Sequence, residues 1–404
     1  MKIASVRLAP GRDQALSRRH PWIFSGALHR ATPLPLEGSW VHVFSSDGTQ
    51  TLATAHAQAT GANIALKVLA FGEHVADPGS FYEERIRRAV AYRRSWGLGL
   101  AQHTTGFRLV FGEGDSLPGL IVDQYGSAVV VQCHTEGMRK DVPLVVLALR
   151  AALENPDLSV FVQDQGWEGA PQTTVHFLEN GIAYTSDVEA GQKTGFFLDQ
   201  RDHRAHVGRL SAGKKVVNLF SYTGGFSLAA LQGGAREVLS VDSSVRACAL
   251  AETHAAQNGW ADRHRSVVSD AFDYLKELPT DSELVVLDPP AFAKRKSSSH
   301  NAMMAYKRLN AMALERMPSG GLLFTFSCSQ NVPVAQFTDA VRAAAYEVGR
   351  EIRLVETLGQ PVDHPDFPGK TVEVGGFKPY LRLNPPTDQL AALTRQHVDF
   401  LFSV

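Results

Sequence analysis

Cysteine is scarce: Cys133, Cys248 and Cys328 are the only three in 404 residues, and no two stand at a metal-ligand or redox-motif spacing. That excludes a disulfide framework and fits free thiols in a reducing compartment. No window approaches the ~18 consecutive apolar residues of a membrane span, and Met1-Lys2-Ile3-Ala4-Ser5-Val6-Arg7 leads into charges rather than an apolar signal core. A soluble, cytoplasmic protein with no membrane partner is expected. A surplus of one charge is missing too, since 40 Lys and Arg face 41 Asp and Glu, so a nucleic-acid surface would have to be local. The full G-x-G-x-x-G fingerprint of dinucleotide sites is absent, as is any internal repeat. His203 and His206 share a helix face without a third ligand, so no metal is assigned.

What is present divides into three patterns. At 404 residues, 44% hydrophobic, the chain exceeds one ordinary core of ~100–200 residues. Residues 1–72 carry short alternating segments, Ile3 to Leu8, Trp40 to Phe44, Leu52 to Ala55 and Ile64 to Leu69, broken at Pro33, Pro35, Gly38 and Asp47-Gly48. Such spacing predicts a small β barrel. Residues 73–182 open with a helix from Phe81 to Trp96 and continue through strands at Phe107 to Glu113, Leu120 to Asp123, Ala128 to Gln132 and Thr174 to Glu179, with a helix near Val142 to Glu154. A central α+β domain is expected there. From 183 to 404, strands at Val216 to Phe220, Glu237 to Asp242, His264 to Ser269, Glu283 to Asp288 and Gly321 to Ser327 alternate with helices, most clearly Ser243 to Asn258 and Met303 to Met317. That alternation predicts a doubly wound, Rossmann-like α/β domain.

The chemistry is read at the strand ends, outside which open α/β sheets bind ligands. One run ends in Asp288-Pro289-Pro290-Ala291-Phe292 and another in Ser327-Cys328-Ser329, which delivers a carboxylate and a thiol to one cleft. That pair suits a planar, electron-poor ring. A cytosine C5 is a poor nucleophile until a thiolate adds at C6, and an acid can then stabilise the adduct through the N3 and amine edge. The base that removes the C5 proton is not legible. The first strand of the sheet leads into Asn218-Leu219-Phe220-Ser221-Tyr222-Thr223-Gly224-Gly225-Phe226, and the next ends in Asp242. A glycine turn followed by a carboxylate that can take both ribose hydroxyls points to an adenosine cofactor. S-adenosylmethionine is preferred because it has no pyrophosphate to cradle. Cys133 and Cys248 are read as packing residues.

These motifs, together with the Ala190 to Arg201 block, closely resemble the RlmI/RlmO-type family of large-subunit ribosomal RNA cytosine-5 methyltransferases. Arg19-His20-Pro21-Trp22-Ile23-Phe24-Ser25-Gly26 resembles that family's amino-terminal PUA domain, and Leu117 to Asp123 its central domain. The resemblance implies a PUA-like barrel, a connecting domain and a class I methyltransferase domain. It implies Cys328 as nucleophile with Asp288 beside it, and Asp242 as ribose ligand. The further cofactor contacts expected are Phe220, Ser221, Tyr222, Thr223, Gly224, Ser243, Asn258, Asp270, Ala271, Asp288, Lys193 and Phe196. The implied partner is 23S ribosomal RNA or a large-subunit assembly intermediate, met by Arg18, Arg19, Lys294, Arg295, Lys296 and Arg201 through phosphate contacts. A homodimer stays open. Lys67 stands where an arginine is common, and Gly376-Phe377-Lys378-Pro379-Tyr380 replaces the usual Leu-Lys-Gly run, both of which bear on the target position. Methylation of guanine at N7, of a small molecule, or no catalysis at all are the alternatives.

Overall fold

A computed structural model describes residues 3–30, 32–99, 103–191, 194–293, 299–329 and 332–365, and residues 378–383 by backbone alone. The chain divides into two compact units, Met1–Asp199 with Pro361–Val372, and Gln200–Gln360 with Glu373–Val404.

The first unit begins with a five-stranded sheet. Its strands are β1 (Ala4–Arg7), β2 (Trp22–Phe24), β3 (Trp40–Phe44), β4 (Thr51–Ala57) and β5 (Ile64–Phe71), ordered β1-β3-β4-β5-β2, with a one-turn helix α1 (Gln14–Ser17) between the first two. The short β2 carries no clear alternation and was not expected as a strand; it forms because Trp22 and Ile23 pair with Lys67 and Leu66 of β5. Next comes α2 (Pro78–Ser95), which starts earlier than its apolar pattern predicts. The Asp77 side chain accepts the Gly79 and Ser80 N–H groups and Pro78 fills the first turn, so the cap sets the start. Around α2 are β6 (Gly106–Phe111), β7 (Leu120–Tyr125), β8 (Ala128–Cys133), α3 (Glu136–Lys140), α4 (Val142–Ala152), β9 (Ser159–Val162) and β10 (Gly166–Glu168), in the sheet order β10-β9-β8-β7-β6. A hairpin of β11 (Thr174–Glu179) and β12 (Ile182–Asp187) closes on Asn180 and Gly181, at φ 51° and 81°. Two consecutive positive φ values are what the preferred hairpin turn demands.

The second unit is the doubly wound one. Its elements are α5 (Arg201–Arg209), β13 (Lys215–Leu219), α6 (Gly225–Gln232), β14 (Glu237–Asp242), α7 (Val245–Gln257), β15 (His264–Val268), α8 (Ala271–Leu275), β16 (Leu284–Leu287), α9 (Ser299–Arg316), β17 (Leu322–Thr325), α10 (Val334–Glu347), β18 (Ile352–Leu358) and β19 (Lys378–Leu383). The sheet runs β15-β14-β13-β16-β17-β19-β18, with β19 antiparallel to both of its neighbours. Period-two alternation sorts the strand side chains onto two faces. Val217, Leu219, Val285, Leu287 and Leu323 enter the core under α8, α9 and α10, while Val216, Val238, Leu284, Val286 and Phe324 enter the core that includes residues of α5, α6 and α7. Beside β13 the order turns back, with β14 on one side and β16 on the other. That switch point is where an open sheet leaves a crevice. β16 stops at Leu287, one residue short of the expected Asp288, as the following Pro289 and Pro290 offer no N–H to the ladder.

Candidate active site

Five residues past β13 build the first wall. Phe220, Tyr222 and Gly224 take φ values of 58°, 47° and 84°, a left-handed bend that costs of order 1–3 kcal/mol at each non-glycine. The surroundings hold it in place. Tyr222 N–H donates to Asp242 Oδ2 at 2.8 Å, Ser221 N–H to the Val241 carbonyl at 3.0 Å, and His254 Nδ1 to the Thr223 carbonyl at 3.1 Å. A Cβ on Gly224 would lie 2.9 Å from the Ala251 Cβ, so α7 approaches this turn too closely for any side chain. The Ser221 Oγ and Thr223 Oγ1 atoms are buried yet have no hydrogen-bond partner among the described residues. Buried hydroxyls are rarely left unpaired, so a polar ligand in this bend fits the residues present.

Asp242, at the tip of β14, also accepts the Ser244 N–H on Oδ1 at 2.9 Å, while Ser243 is exposed. Asp270 caps α8 by accepting the Phe272 and Asp273 N–H groups on Oδ1, and the following Ala271 is buried. These groups stand at neighbouring strand ends. Asn258 is the C-cap of α7, and its side chain donates to the carbonyl of His254, whose ring meets the Thr223 carbonyl in the bend. Phe196 is buried in the first unit against Phe177 and Tyr184, with ring centroids 5.2 and 4.9 Å away. Lys193 lies outside the described residues.

The thiol and the carboxylate do meet. Leu287 and Thr325 are in register on adjacent parallel strands, and Phe326 N–H donates to the Leu287 carbonyl, so the chain ends beyond them run side by side. Cys328 Sγ is 3.7 Å from Asp288 Oδ1, and both residues are half-buried. The flanking serines explain why the thiol faces out. Ser327 and Ser329 are buried, each hydrogen-bonded to the Tyr306 hydroxyl, at 3.0 and 2.9 Å, and Ser329 Oγ also accepts the Ala293 N–H at 3.2 Å. Burial, opposed by these hydroxyls, holds the Tyr306 phenol above its usual range, so it stays a neutral donor and acceptor. Phe292 packs on the Tyr306 ring at 4.8 Å and leans toward Phe272 at 6.4 Å, which makes the platform after the prolines apolar.

Behind Asp288 stands a group that sequence reasoning missed. Gln200 Nε2 donates to Asp288 Oδ2 at 2.9 Å, and Gln200 Oε1 is 2.6 Å from His203 Nδ1. Both residues are buried. Their only signal was placement within the Ala190 to Arg201 block and the helix it opens.

The other two thiols pack. Cys248 is buried in α7, its thiol pushed up by burial, and Cys133 at the end of β8 is pushed up to about 11 for the same reason. Of the expected RNA contacts, Arg18 and Arg19 are exposed, Arg19 with its guanidinium 5.9 Å from the Phe71 ring centroid. Arg201 is 3% exposed, with Asp202 Oδ1 3.4 Å from its Nε. Lys294, Arg295 and Lys296 lie outside the described residues. Among the described residues no group of three or more His, Cys, Asp and Glu could hold a metal, and no helix is long and apolar enough to cross a membrane.

Comparison with known proteins agrees with this geometry. The S-adenosylmethionine-dependent methyltransferase family profile matches residues 162–377, and a PUA-like domain profile matches residues 6–71. The chain is 37% identical over 379 residues to the ribosomal RNA large subunit methyltransferase I of Shewanella amazonensis, covering 89% of this chain and 94% of that one. It is 33% identical over 377 residues to the protein of the same name from Klebsiella pneumoniae, covering 89% and 93%. Among solved structures, a Streptococcus mutans protein provisionally described as a SAM-dependent methyltransferase superposes with a TM-score of 0.77 at 24% identity, covering 94% of this chain and all of that one. A second, described in like terms and complexed with SAH, gives 0.78 at 25% identity, covering 95% and 100%.

Proposed function

The chain belongs to the S-adenosylmethionine-dependent methyltransferases, among the relatives named for the ribosomal RNA large subunit, and on that premise we propose that it forms 5-methylcytidine in 23S ribosomal RNA through a Cys328 adduct. The observation that carries this reading is the 3.7 Å approach of a half-buried thiol to the Asp288 carboxylate beyond the carboxyl ends of β16 and β17. Methylation at guanine N7 has no use for a thiol there. A cytosine C5 does.

The bend at Phe220 to Gly224, with Asp242 and Asp270 on the next strand tips, would hold S-adenosylmethionine, whose electrophilic methyl is the group transferred to C5. Asp288 Oδ1 accepts the Cys328 proton, and Sγ bonds to C6 of a cytosine drawn out of its stack at a cost of a few kcal/mol. The proton held by Asp288 passes to N3, which lets the ring take the added electron pair without a full negative charge. The C5 proton leaves to solvent water, the Sγ–C6 bond breaks to restore the double bond, and the N3 proton returns through Asp288 to Sγ, which regenerates the thiol. Arg18 and Arg19, both exposed, contact phosphates of the substrate, 23S ribosomal RNA or a large-subunit assembly intermediate in the cytoplasm.

RNA containing 5-fluorocytidine at the target should trap the enzyme as a denaturation-resistant complex, because fluorine cannot leave as a proton does. Cys328→Ala should lose more than a thousandfold in turnover and keep its S-adenosylmethionine affinity by calorimetry. Retained turnover in that variant would overturn the covalent route and favour guanine N7.

A further inference from the structure

We propose that Arg308, seated on the Phe272 ring, binds a backbone phosphate of the nucleotide next to the target cytosine, and that the half-covered rings of Phe272 and Phe292 take that nucleotide's base. The proposal deepens the ribosomal RNA reading and rests on it. Phe272 follows Asp270 and Ala271 in the first turn of α8, and Phe292 follows the Asp288-Pro289-Pro290 turn. Both therefore stand at the carboxyl edge of the sheet, where the cleft opens. Their ring centroids are 6.4 Å apart at a 40° tilt, and both side chains pack on the core below while staying half-buried. Phe292 also lies 4.8 Å from the Tyr306 ring, whose hydroxyl holds the serines on either side of Cys328. The rings are thus tied to the loop that carries the thiol.

α9 supplies the charge. It crosses from β16 to the parallel β17, so it begins at the carboxyl edge of the sheet, and its side chains lean back toward that beginning. Met304 and Arg308 stand one turn apart on its outer face, Met304 52% exposed and Arg308 exposed, whereas Tyr306 between them enters the core. The Arg308 guanidinium lies 5.5 Å from the Phe272 ring centroid, within reach of cation–π attraction. Among the described residues it makes no hydrogen bond and no ion pair. Other exposed arginines of this unit do meet a carboxylate: Arg342 reaches Asp339 at 3.3 Å and Arg353 reaches Glu351 at 3.6 Å. On α8 the Asp273 carboxylate is taken by Lys276 Nζ at 2.6 Å.

A ring beneath a guanidinium fixes its plane and uses none of its N–H donors, so the fork stays open to the oxygens of a phosphate. The class of ligand follows from this pairing. An anion suits the fork, a flat apolar partner suits the rings, and a nucleotide joins the two. A cytosine that leaves its stack to reach Cys328 also strips its neighbour of a stacking partner. An aromatic side chain replaces that partner without regard to which base it is. Arg308 is on this account a substrate-binding residue, in contact with RNA and not with the reacting atoms.

The test uses the full-length enzyme with 23S ribosomal RNA transcribed in vitro as the probe, binding being followed by filter retention over a range of KCl concentrations. Arg308→Ala should weaken binding on the order of tenfold, the scale of one charge-assisted contact. It should also reduce the slope of log affinity against log salt by about 0.7, the counterion share of one single-strand phosphate. Arg308→Lys keeps the charge and should keep the slope, while Phe272→Leu should weaken binding with the slope unchanged. In turnover Arg308→Ala should raise the KM for RNA, and its S-adenosylmethionine affinity by calorimetry should match the parent's. An unchanged slope or an unchanged KM for RNA in Arg308→Ala would overturn the proposal. So would a loss of S-adenosylmethionine affinity, which would give the rings to the cofactor's adenine. Should the unsubstituted enzyme and its variants bind as expected but the enzyme yield no 5-methylcytidine, the cytosine assignment fails and the phosphate contact stands.

Discussion

Tyr306 touches no reacting atom, yet its hydroxyl is the common partner of Ser327 and Ser329 on either side of Cys328. With both serines held inward by that hydroxyl, the Cys328 side chain between them is left half-buried beside Asp288. Tyr306→Phe would take one partner from each of two buried hydroxyls, leaving Ser329 Oγ the Ala293 N–H and Ser327 Oγ the Ser329 N–H, at about 1 kcal/mol each. We expect it to lower kcat at least tenfold and to slow iodoacetamide labelling of Cys328, with S-adenosylmethionine affinity unchanged. Labelling at the parent rate would show that the serines hold the loop unaided. Nothing in the sequence singled Tyr306 out, since it occupies an apolar stripe of α9 with Ala302, Leu309 and Ala313 and reads as core. Cys328 and Asp288 were legible because a polar, reactive side chain ending a strand-like apolar run is unusual in itself.

Regular alternation made most strands and the long helices visible, and caps or prolines account for most of their shifted ends. The weaker elements were hidden for identifiable reasons. β2 is three residues long and β9 four, too short for a period to emerge, and β12 straddles the expected domain boundary at residues 182 and 183. The motif Leu117 to Asp123 carried the resemblance, and its acid is structural. Asp123, fully buried at the centre of β7, accepts from Arg108 Nε and Nη2 at 2.7 and 2.9 Å and from Thr194 Oγ1 at 2.7 Å, while Thr194 also bonds the Tyr125 hydroxyl. Breaking such a pair strands a buried guanidinium. Asp123→Asn should therefore destabilise the protein by about 3–5 kcal/mol, measured as a lower urea midpoint with the slope unchanged. A loss under 1 kcal/mol would mean that Arg108 finds water instead.

For the whole molecule, acid is the condition to which the second unit should respond. Burial pushes the His264 imidazole from 6.5 down to about 4, and its Nε2 faces the Ser240 hydroxyl at 2.8 Å. The unfolded chain binds this proton first as pH falls. Stability from keeping the ring neutral is thus full above about 6.5 and is lost progressively toward 4, by up to about 3 kcal/mol. His264→Gln should flatten the pH dependence of unfolding across that interval relative to the parent; an unchanged curve would sink the assignment. The path of the chain adds a constraint of another kind. Asp363 and His364 belong to the first unit, where the Asp363 carbonyl accepts from Arg93 Nη2 and its carboxylate from the Arg108 N–H, both at 2.8 Å, and His364 lies 4.9 Å from the Phe111 ring. A ribosome building this protein from its amino end reaches residue 199 and then needs roughly ten to thirty seconds more to reach Asp363, at about 5–20 residues per second. Through that interval α2 and β6 lack these last fastenings, so a module translated in the first half of the chain waits on residues near its end to mature.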